Sequence, residues 1–139
     1  MASQGAPARK LPTLEPETAF FWTSGADGRL RIQRCAECRT WQHPPLPRCA
    51  TCGSEAMAAE PTSGKGSIAS YTINHEAWLP GLPVPFVLAA VELAEQAGLY
   101  VMANLDGAVT RARIGLPVTV RFEQHEDVWL PFFAPKVEA

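Results

Sequence analysis

The four cysteines of this chain occur as two Cys-x-x-Cys pairs, and this pattern restricts the possible folds more than any other feature of the sequence. Cys35 and Cys38 form the first pair, Cys49 and Cys52 form the second, and ten residues separate the pairs. Two tight turns that each deliver two thiolates build the tetrahedral ligand set that Zn²⁺ takes in structural sites. The sequence therefore predicts one structural zinc ion in a zinc ribbon that spans residues 30–60.

Two disulfides are the main alternative use of these cysteines, and the sequence argues against them. It shows no apolar signal segment that would direct the chain to an oxidising compartment. A redox dithiol would need only one of the two pairs. His43 lies between the pairs and is an alternative to one of the cysteine ligands. Because four thiolates leave no open coordination position, we expect the zinc to stabilise the fold and not to activate water.

The residues that follow the two pairs differ. Gly53 follows Cys52, and a turn that points backbone amides at the sulfurs often needs a positive φ, which glycine adopts without strain. Arg39 holds the matching position after Cys38. The second turn therefore fits the pattern expected of such a site, and the first turn departs from it.

The composition is that of one compact domain with a small appendage. The chain has 139 residues, of which 47% are hydrophobic. No stretch approaches the roughly 18 consecutive apolar residues that predict a membrane-spanning helix. We therefore expect a cytoplasmic protein. Residues 61–139 contain eight acidic and five basic residues, whereas residues 1–60 contain six and seven. The second half is thus acidic.

Residues 12–29 are expected to form a short N-terminal helix, preceded by a flexible arm at residues 1–11. Thr13 is the predicted N-cap, and the two acidic residues after it suit the positive end of a helix dipole. We predict a helix of two to three turns that ends near Gly25. Such a short helix is unstable alone in water, so the aromatic residues at 20–22 must bury against this chain or against a partner.

Residues 61–139 are predicted to form a C-terminal five-stranded barrel of the OB type, although an SH3-like barrel would show the same periodicity. Five short strands are too few for an immunoglobulin-type sandwich but suit a small Greek-key barrel. The run at 85–93 is nearly all apolar, which is typical of a strand buried on both faces, and a helix over residues 86–97 is an alternative. The predicted strands are Leu30–Gln33 in the ribbon and Ser67–His75, Pro85–Leu93, Leu99–Leu105, Val118–Glu123 and Val128–Phe133 in the barrel. The expected fold class is mainly β, with a short helix, a rubredoxin-like zinc ribbon and this barrel.

The sequence contains no recognisable catalytic centre. Two clusters have acid–base potential: His75 with Glu76, and His125 with Glu126 and Asp127. Adjacent residues of a strand point to opposite faces, so His75 and Glu76 cannot form one dyad without a bulge. No serine has the setting of a nucleophile elbow, and every cysteine is assigned to the metal. We therefore assign no catalytic residue and expect the chain to be inactive alone.

The order of these parts resembles a specific family. The resemblance is carried by the aromatic N-terminal helix, by the ribbon with Pro44-Pro45 inside it and Gly53-Ser54 after it, and by two barrel motifs, Gly66-x4-Tyr71-Thr72 and Ile114-Gly115-Leu116-Pro117-Val118. These features are similar to those of the zinc-ribbon and OB-fold proteins known as a domain of unknown function and described as acyl-CoA-associated. The resemblance covers about residues 12–135.

This resemblance implies an accessory subunit of a thiolase-superfamily enzyme that acts on acyl-coenzyme A thioesters. Members of the family pair with thiolases, with hydroxymethylglutaryl-CoA synthase, with acyltransferases, and with lipid-transfer-protein-like aldolases that cleave steroid side chains. In such complexes the partner supplies the reactive residues, while the small subunit stabilises the partner and helps to bind the thioester. We therefore expect a hetero-oligomer for steroid side-chain degradation, in which this chain is the non-catalytic subunit of an aldolase (a lyase) or an acyltransferase.

Two groups of residues are candidates for contacts in such a complex. Arg111, Arg113 and Arg121 are close enough in sequence to share one side of the barrel and to meet the phosphates of coenzyme A. Solvated arginines without a ligand are the alternative. The apolar, proline-rich segment at residues 77–86 would be a costly exposed patch on a monomer, so it is the candidate surface for a partner or an acyl chain. Folding back onto the barrel is the alternative there.

Single-strand nucleic-acid binding and a purely structural scaffold are the alternative functions. OB-folds stack bases on aromatic side chains inside a positive groove, and Trp78 and Trp129 could serve in this way. The acidic character of residues 61–139 opposes the phosphate contacts that dominate such binding. The sequence therefore favours the accessory-subunit hypothesis.

Overall fold

The computed structural model describes residues 10–136, which are mostly β-structure. Within this range, eight strands follow a short N-terminal helix; three strands form the ribbon and five form a closed barrel. This is the predicted fold class. The predicted flexible arm lies outside the described residues apart from Lys10 and Leu11. Between residues 10 and 136, no helix is long and apolar enough to cross a bilayer.

The N-terminal helix is shorter than predicted. Helix α1 spans Ala19–Trp22 with Thr18 at the N-cap position, and a 3₁₀ turn, Ser24–Asp27, follows it directly. The prediction of Thr13 as the N-cap is wrong. Pro16 disfavours helical dihedral angles at the residue before it, so the helix cannot extend back to residue 13.

Side chains on both sides of α1 anchor the N-terminal segment to the rest of the chain. Phe21 is buried in the main hydrophobic core. The buried Ser24 hydroxyl accepts a hydrogen bond from the Arg31 backbone N–H at 2.9 Å. Before the helix, Leu11 and Leu14 pack against a second, smaller cluster of buried side chains. Phe21 is therefore covered by this chain itself, whereas Trp22 is half-buried.

Three antiparallel strands form the ribbon. Strand β1 (Arg31–Cys35) lies in the middle and pairs with β2 (Trp41–Gln42) on one side and with β3 (Met57–Pro61) on the other. The strand predicted at residues 30–33 is present and runs two residues further. It therefore ends at the first cysteine.

The barrel strands are β4 (Lys65–Asn74), β5 (Phe86–Leu93), β6 (Tyr100–Leu105), β7 (Pro117–His125) and β8 (Val128–Pro135). They close in the order β4-β5-β6-β8-β7, and β6 and β8 are the parallel neighbours. This closed five-stranded arrangement confirms the OB-type prediction. The alternative helix over residues 86–97 is wrong.

Strand β5 is buried on one face only, which corrects the prediction of burial on both faces. Val87, Ala89, Val91 and Leu93 point into the barrel and are buried, whereas Leu88 points outward and is 38% exposed. The run is nearly all apolar because apolar residues also occupy the outward positions 86, 88 and 90. The outer face of this strand is thus mostly apolar, with Glu92 as its charged residue.

The ribbon and the barrel share one hydrophobic core. Leu30 and Trp41 of the ribbon belong to the same cluster of buried side chains as Val87 and Phe133 of the barrel. The turn after β5 adds a reciprocal pair of hydrogen bonds: Gln96 Oε1 accepts from the Trp41 N–H at 2.9 Å, and Gln96 Nε2 donates to the Trp41 carbonyl at 3.0 Å. The two parts are therefore packed as one unit.

We expect Gln96→Leu to lower the free energy of unfolding by about 2 kcal/mol, because it leaves the N–H and carbonyl of the buried Trp41 without their partners. Urea denaturation followed by tryptophan fluorescence measures the loss. Gln124→Leu is the matched control, since Gln124 is exposed and bonds to the Glu126 carbonyl two residues away. That change should cost less than about 0.5 kcal/mol. Equal losses in the two variants would contradict the role of Gln96 in joining the barrel to the ribbon.

Candidate functional site

The four predicted cysteine ligands converge at one end of the ribbon. All four sulfur atoms lie within 4.8 Å of one another. Cys35 Sγ is 3.6 Å from Cys52 Sγ, and Cys38 Sγ is 3.5 Å from Cys49 Sγ. Sulfurs at about 2.3 Å from a tetrahedral Zn²⁺ are about 3.8 Å apart, whereas a disulfide needs about 2.05 Å. The cysteines are free, so the set fits one zinc ion and the disulfide alternative is wrong.

Two equivalent turns position the sulfurs. The Arg39 N–H donates to the Cys35 carbonyl at 3.0 Å, and the Gly53 N–H donates to the Cys49 carbonyl at 2.8 Å. Both donor residues have a positive φ, 65° for Arg39 and 78° for Gly53. The first turn thus has the backbone shape of the second, although a non-glycine residue in this conformation costs about 1 kcal/mol.

The side chain of Arg39 is held by an ion pair that offsets this strain. Its guanidinium makes two hydrogen bonds to the Glu60 carboxylate, at 2.9 and 3.0 Å. Arg34 reaches the same carboxylate at 3.4 Å and lies over the Trp41 ring, 4.4 Å from its centroid. The hydrogen bonds from Arg39, followed by those from Arg34, lower the pKa of Glu60. The first cysteine turn is thereby tied to β3.

Backbone amides stabilise the thiolate form of some of the cysteines. The Cys52 N–H points at Cys49 Sγ at 3.5 Å and lowers the pKa of Cys49 to about 6. The Cys38 N–H, at 3.4 Å, lowers the pKa of Cys35 in the same way. The Ser54 N–H has the same effect on Cys52, but the neighbouring sulfurs outweigh it and raise the pKa of Cys52 to about 12. Four thiolates together therefore require a cation among them.

His43 is not a ligand of this site. Its ring stacks on Phe21, with the ring centroids 4.9 Å apart. Its Nδ1 atom is buried and has no hydrogen-bond partner in the described part of the chain, and this burial lowers the pKa of His43. The neutral imidazole therefore packs the ribbon against α1. The four thiolates complete the coordination of the metal, which leaves no position for a reacting water.

The three arginines considered for coenzyme A lie in different environments. Arg111 and Arg113 are exposed and form no ion pair within residues 10–136. Arg121 bonds to both carboxylate oxygens of Asp106 and forms an ion pair with Glu123 at 2.9 Å. Asp106 first, and Glu123 after it, raise the pKa of Arg121, so its charge is permanent but already neutralised. Their role as phosphate contacts stays a prediction.

The two histidine clusters lie at the surface or within this ion-pair chain. His75 and Glu76 are exposed in the connection that follows β4. His125 Nε2 lies 3.3 Å from Glu123 Oε1, so it extends the chain of pairs that begins at Asp106. Each of these groups thus contacts solvent or another charged surface residue.

The apolar loop at residues 77–86 is divided between the barrel and the solvent. Leu79, Leu82 and Phe86 are half-buried and line a groove of about 420 Å³. Trp78 is 73% exposed, and Val84 is 40% exposed. Each of the two alternatives for this loop, folding back and presenting apolar groups outward, therefore describes part of it.

A second apolar surface escaped the sequence-based prediction. Tyr100 and Met102 point outward from β6 and are 46% and 59% exposed. Met102 lies diagonally across from Leu88 of β5, and Tyr100 lies two residues further along β6. The alternation of inward and outward residues along 99–105 is the signal that could have revealed it. Reading the neighbouring run at 85–93 as buried on both faces obscured that signal.

Family models match both parts of the chain. A model described as "ChsH2, rubredoxin-like zinc ribbon domain" matches residues 22–58. A second model, described as "ChsH2, C-terminal OB-fold domain", matches residues 59–123. The two matches are consecutive and agree with the ribbon and the barrel of the structure.

Solved structures give the same relationship. The chain is similar to a chain of the Ltp2-ChsH2(DUF35) aldolase, with 36% identity, a TM-score of 0.81, and coverage of 91% of this chain and 100% of that one. A protein of unknown function from the DUF35 family of Sulfolobus solfataricus is 15% identical, with a TM-score of 0.61 and coverage of 87% and 86%. The second likeness concerns the fold.

Two curated relatives are each 37% identical to the chain. One is a probable enoyl-CoA hydratase alpha subunit of Thermomonospora curvata, matched over 131 residues and 93% of this chain. The other is the 3-oxo-4,17-pregnadiene-20-carboxyl-CoA hydratase alpha subunit of Mycobacterium tuberculosis, matched over 121 residues and 86% of this chain. The chain spans 40% and 38% of the length of these relatives.

We expect the purified chain to contain about one equivalent of zinc, held by the four cysteines. Cys49→Ser should weaken metal binding by about two orders of magnitude, because one of four metal–thiolate bonds is lost. Metal analysis and titration with Co²⁺, followed by thiolate-to-cobalt absorption, measure both quantities. Ala50→Ser, an exposed position in the same turn, is the control and should bind metal like the wild type. Much less than one equivalent, with disulfides found by mass spectrometry, would refute the site.

Proposed function

Because the chain belongs to the ChsH2 (DUF35) family of zinc-ribbon and OB-fold proteins, we propose that it is the accessory subunit of a thiolase-like enzyme that acts on acyl-coenzyme A thioesters. We assign it to an aldolase of the lipid-transfer-protein type in steroid side-chain degradation. One observation carries this proposal: the likeness to a chain of the Ltp2-ChsH2(DUF35) aldolase extends over 91% of this chain and 100% of that one.

In this complex the partner supplies the reacting groups, and this chain stabilises the partner and helps to bind the thioester. The metal site supports such a division, because zinc with four protein ligands has no position for a substrate or a reacting water. Asp106, Arg121 and Glu123, the charged cluster of the barrel, are committed to one another through ion pairs. Such pairing favours a stabilising role for these groups over proton transfer.

Two of the three arginines are the better candidates for coenzyme A. Arg111 and Arg113 are exposed and form no ion pair with a described residue, so each can make a charge-assisted hydrogen bond to a phosphate at little cost. Arg121 would first have to exchange Asp106 for the ligand. We therefore propose that Arg111 and Arg113 meet the phosphates and that Arg121 contributes less.

A hydratase complex is the second candidate function. The two curated relatives favour it, because both are named as hydratase alpha subunits and one is named for 3-oxo-4,17-pregnadiene-20-carboxyl-CoA. The match covers about two fifths of each relative. A hydratase complex and an aldolase complex can both contain the region that this chain shares with its relatives. The partner subunit therefore distinguishes the two functions.

Single-strand nucleic-acid binding is less well supported. Phosphate contacts dominate such binding, yet residues 61–139 are acidic and Arg121 is already paired with carboxylates. A purely structural scaffold would account for the zinc but not for the exposed apolar side chains of the barrel. The free cysteines suit a reducing compartment, and we place the complex in the cytoplasm.

Co-expression of the full chain with the thiolase-like protein encoded nearest to it tests the proposal. We expect a stable complex of fixed stoichiometry that cleaves a 3-hydroxyacyl-CoA thioester, while neither subunit does so alone. Light scattering after size-exclusion chromatography gives the stoichiometry, and product analysis separates carbon–carbon cleavage from hydration of an enoyl-CoA. Hydration without cleavage would establish the second candidate. Binding of oligonucleotides at moderate salt, with no complex formed, would overturn both.

In that complex, the double variant Arg111→Glu and Arg113→Glu should raise KM for the thioester about tenfold and leave kcat nearly unchanged, because lost phosphate contacts weaken ground-state and transition-state binding equally. Steady-state kinetics on the purified complex measure the two constants. Arg29→Glu is the control, since Arg29 is an exposed arginine in the turn after α1. An unchanged KM in the double variant would show that these two residues do not bind the thioester.

A further inference from the structure

We infer that the thiolase-like subunit docks on the outer face of β5, β6 and β8. This inference rests on the proposed function and names the side of the barrel that the complex uses. The apolar face, as we call it, consists of Leu88, Tyr100 and Met102, together with Trp78 and Val84 of the adjoining loop. The side chains, grooves and charges of this face indicate the kind of partner that binds there.

Large exposed apolar side chains are concentrated on this face. Of the seven that are exposed among the described residues, three lie on the outer surface of β5 and β6, and two, Trp78 and Val84, lie in the loop that leads into β5. The register places the first three on one outer surface, because Ala90 pairs with Met102 and Glu92 pairs with Tyr100, two and four positions along from Leu88. Glu92 and Asn104 share this outer surface with them. Exposed apolar groups clustered in this way on a monomer usually mark an interaction site.

Two grooves cross the face and meet at Asn104 and Phe132, which line both. The first, of about 420 Å³, is walled by the loop that follows β4. The second, of about 400 Å³, lies between Met102 and Trp22. The anchor side chains of protein interfaces fill recesses of this kind, and the apolar lining suits aromatic or aliphatic anchors.

The second groove exists because β6 and β8 diverge. The two strands share one ladder pair, Leu105 with Phe133, whereas β5 and β6 share six. Residues 102–104 and 130–132 form opposite walls of the opening. A partner side chain can therefore enter between the strands while the five-stranded barrel stays closed.

The charges beside the first groove are paired within the chain. Arg121 is bound by Asp106 and Glu123, and its guanidinium lies 4.5 Å from the centroid of the Phe132 ring. One arginine between two carboxylates leaves this groove with a net negative charge, so the surface that covers it must supply a positive or hydrogen-bond-donating group there. The same pairing leaves the groove without the excess positive charge that a nucleic acid needs. A protein surface fits the face better than a polyanion.

The charges around the smaller core cluster beside the face are mostly acidic, since four acids outnumber Lys10, which lines the second groove. Glu15 and Glu17 follow Leu14, which packs on the Val128, Leu130 and Phe132 cluster of β8, and Glu126 and Asp127 form the turn before that strand. None of the four acids forms an ion pair within residues 10–136. The complementary surface has apolar side chains at its centre and Lys or Arg at its edge. We therefore expect the thiolase-like subunit to present such a patch.

Met102→Asp tests the centre of the face, because it places a carboxylate where we expect apolar contact. The Kd for the purified thiolase-like subunit, measured by calorimetry with the full zinc-loaded chain, should rise at least about 30-fold. Ile114→Asp is the matched control: Ile114 is also an exposed large apolar residue, 68% exposed, but it lies outside the apolar face. Its Kd should stay within about twofold of the wild type.

The edge of the face is tested separately. The double variant Glu126→Lys and Asp127→Lys should slow association with the partner about tenfold at low salt and less at high salt, with little change in dissociation. Stopped-flow or surface-based kinetics at two salt concentrations measure this. Hydrogen exchange on the wild-type complex adds a readout that needs no variant to fold, and β5 and β6 should gain protection on binding.

The outcomes separate this inference from the proposed function. If the wild type binds the thiolase-like subunit and Met102→Asp binds equally well, the face is wrong while the proposed function stands. If the wild type does not bind that subunit, the proposed function fails and this assignment fails with it. The chain alone could also form a dimer that Met102→Asp dissociates. That result would show that a second copy of the chain binds this face, and it would also overturn the inference.

Discussion

The coordination of one metal ion by four thiolates is the interaction on which the rest of this structure depends. The large buried side chains of the ribbon, such as Leu30, Ile32 and Trp41, belong to the core that it shares with the barrel. At the far end, the cysteine turns have few apolar contacts of their own, and metal binding takes the place of a core there. The raised pKa of Cys52 shows the physical reason, because four neighbouring sulfurs cannot all ionise unless a cation lies among them.

The metal site acts on the barrel through contiguous packing. The ribbon presents Trp41 to Gln96 and stacks His43 on Phe21, and Phe21 in turn contacts Trp22 edge-on at 4.8 Å. Trp22 borders one of the grooves of the apolar face. The zinc can thus support the apolar face without contacting it, through the packed residues that lie between them.

The parts that were predictable from the sequence are those set by local geometry. Two Cys-x-x-Cys pairs specify a tetrahedral ligand set whatever surrounds them, and alternating apolar residues locate the barrel strands to within a few positions. The helix was predicted too long, because Pro16 and the packing of Leu14 on β8 compete with helix formation. The left-handed conformation of Arg39 was missed because its compensation, the ion pair with Glu60, comes from a residue 21 positions away.

The sequence by itself determined that this chain binds a metal with four cysteines, forms a ribbon followed by a small barrel, and contains no evident nucleophile. These conclusions depend on residue type and on spacing along the chain. Only the tertiary structure decided that Arg121 is neutralised by Asp106 and that Leu88, Tyr100 and Met102 lie together on an uncovered face. Barrel closure and strand register determine which distant residues meet, and no local pattern contains that information.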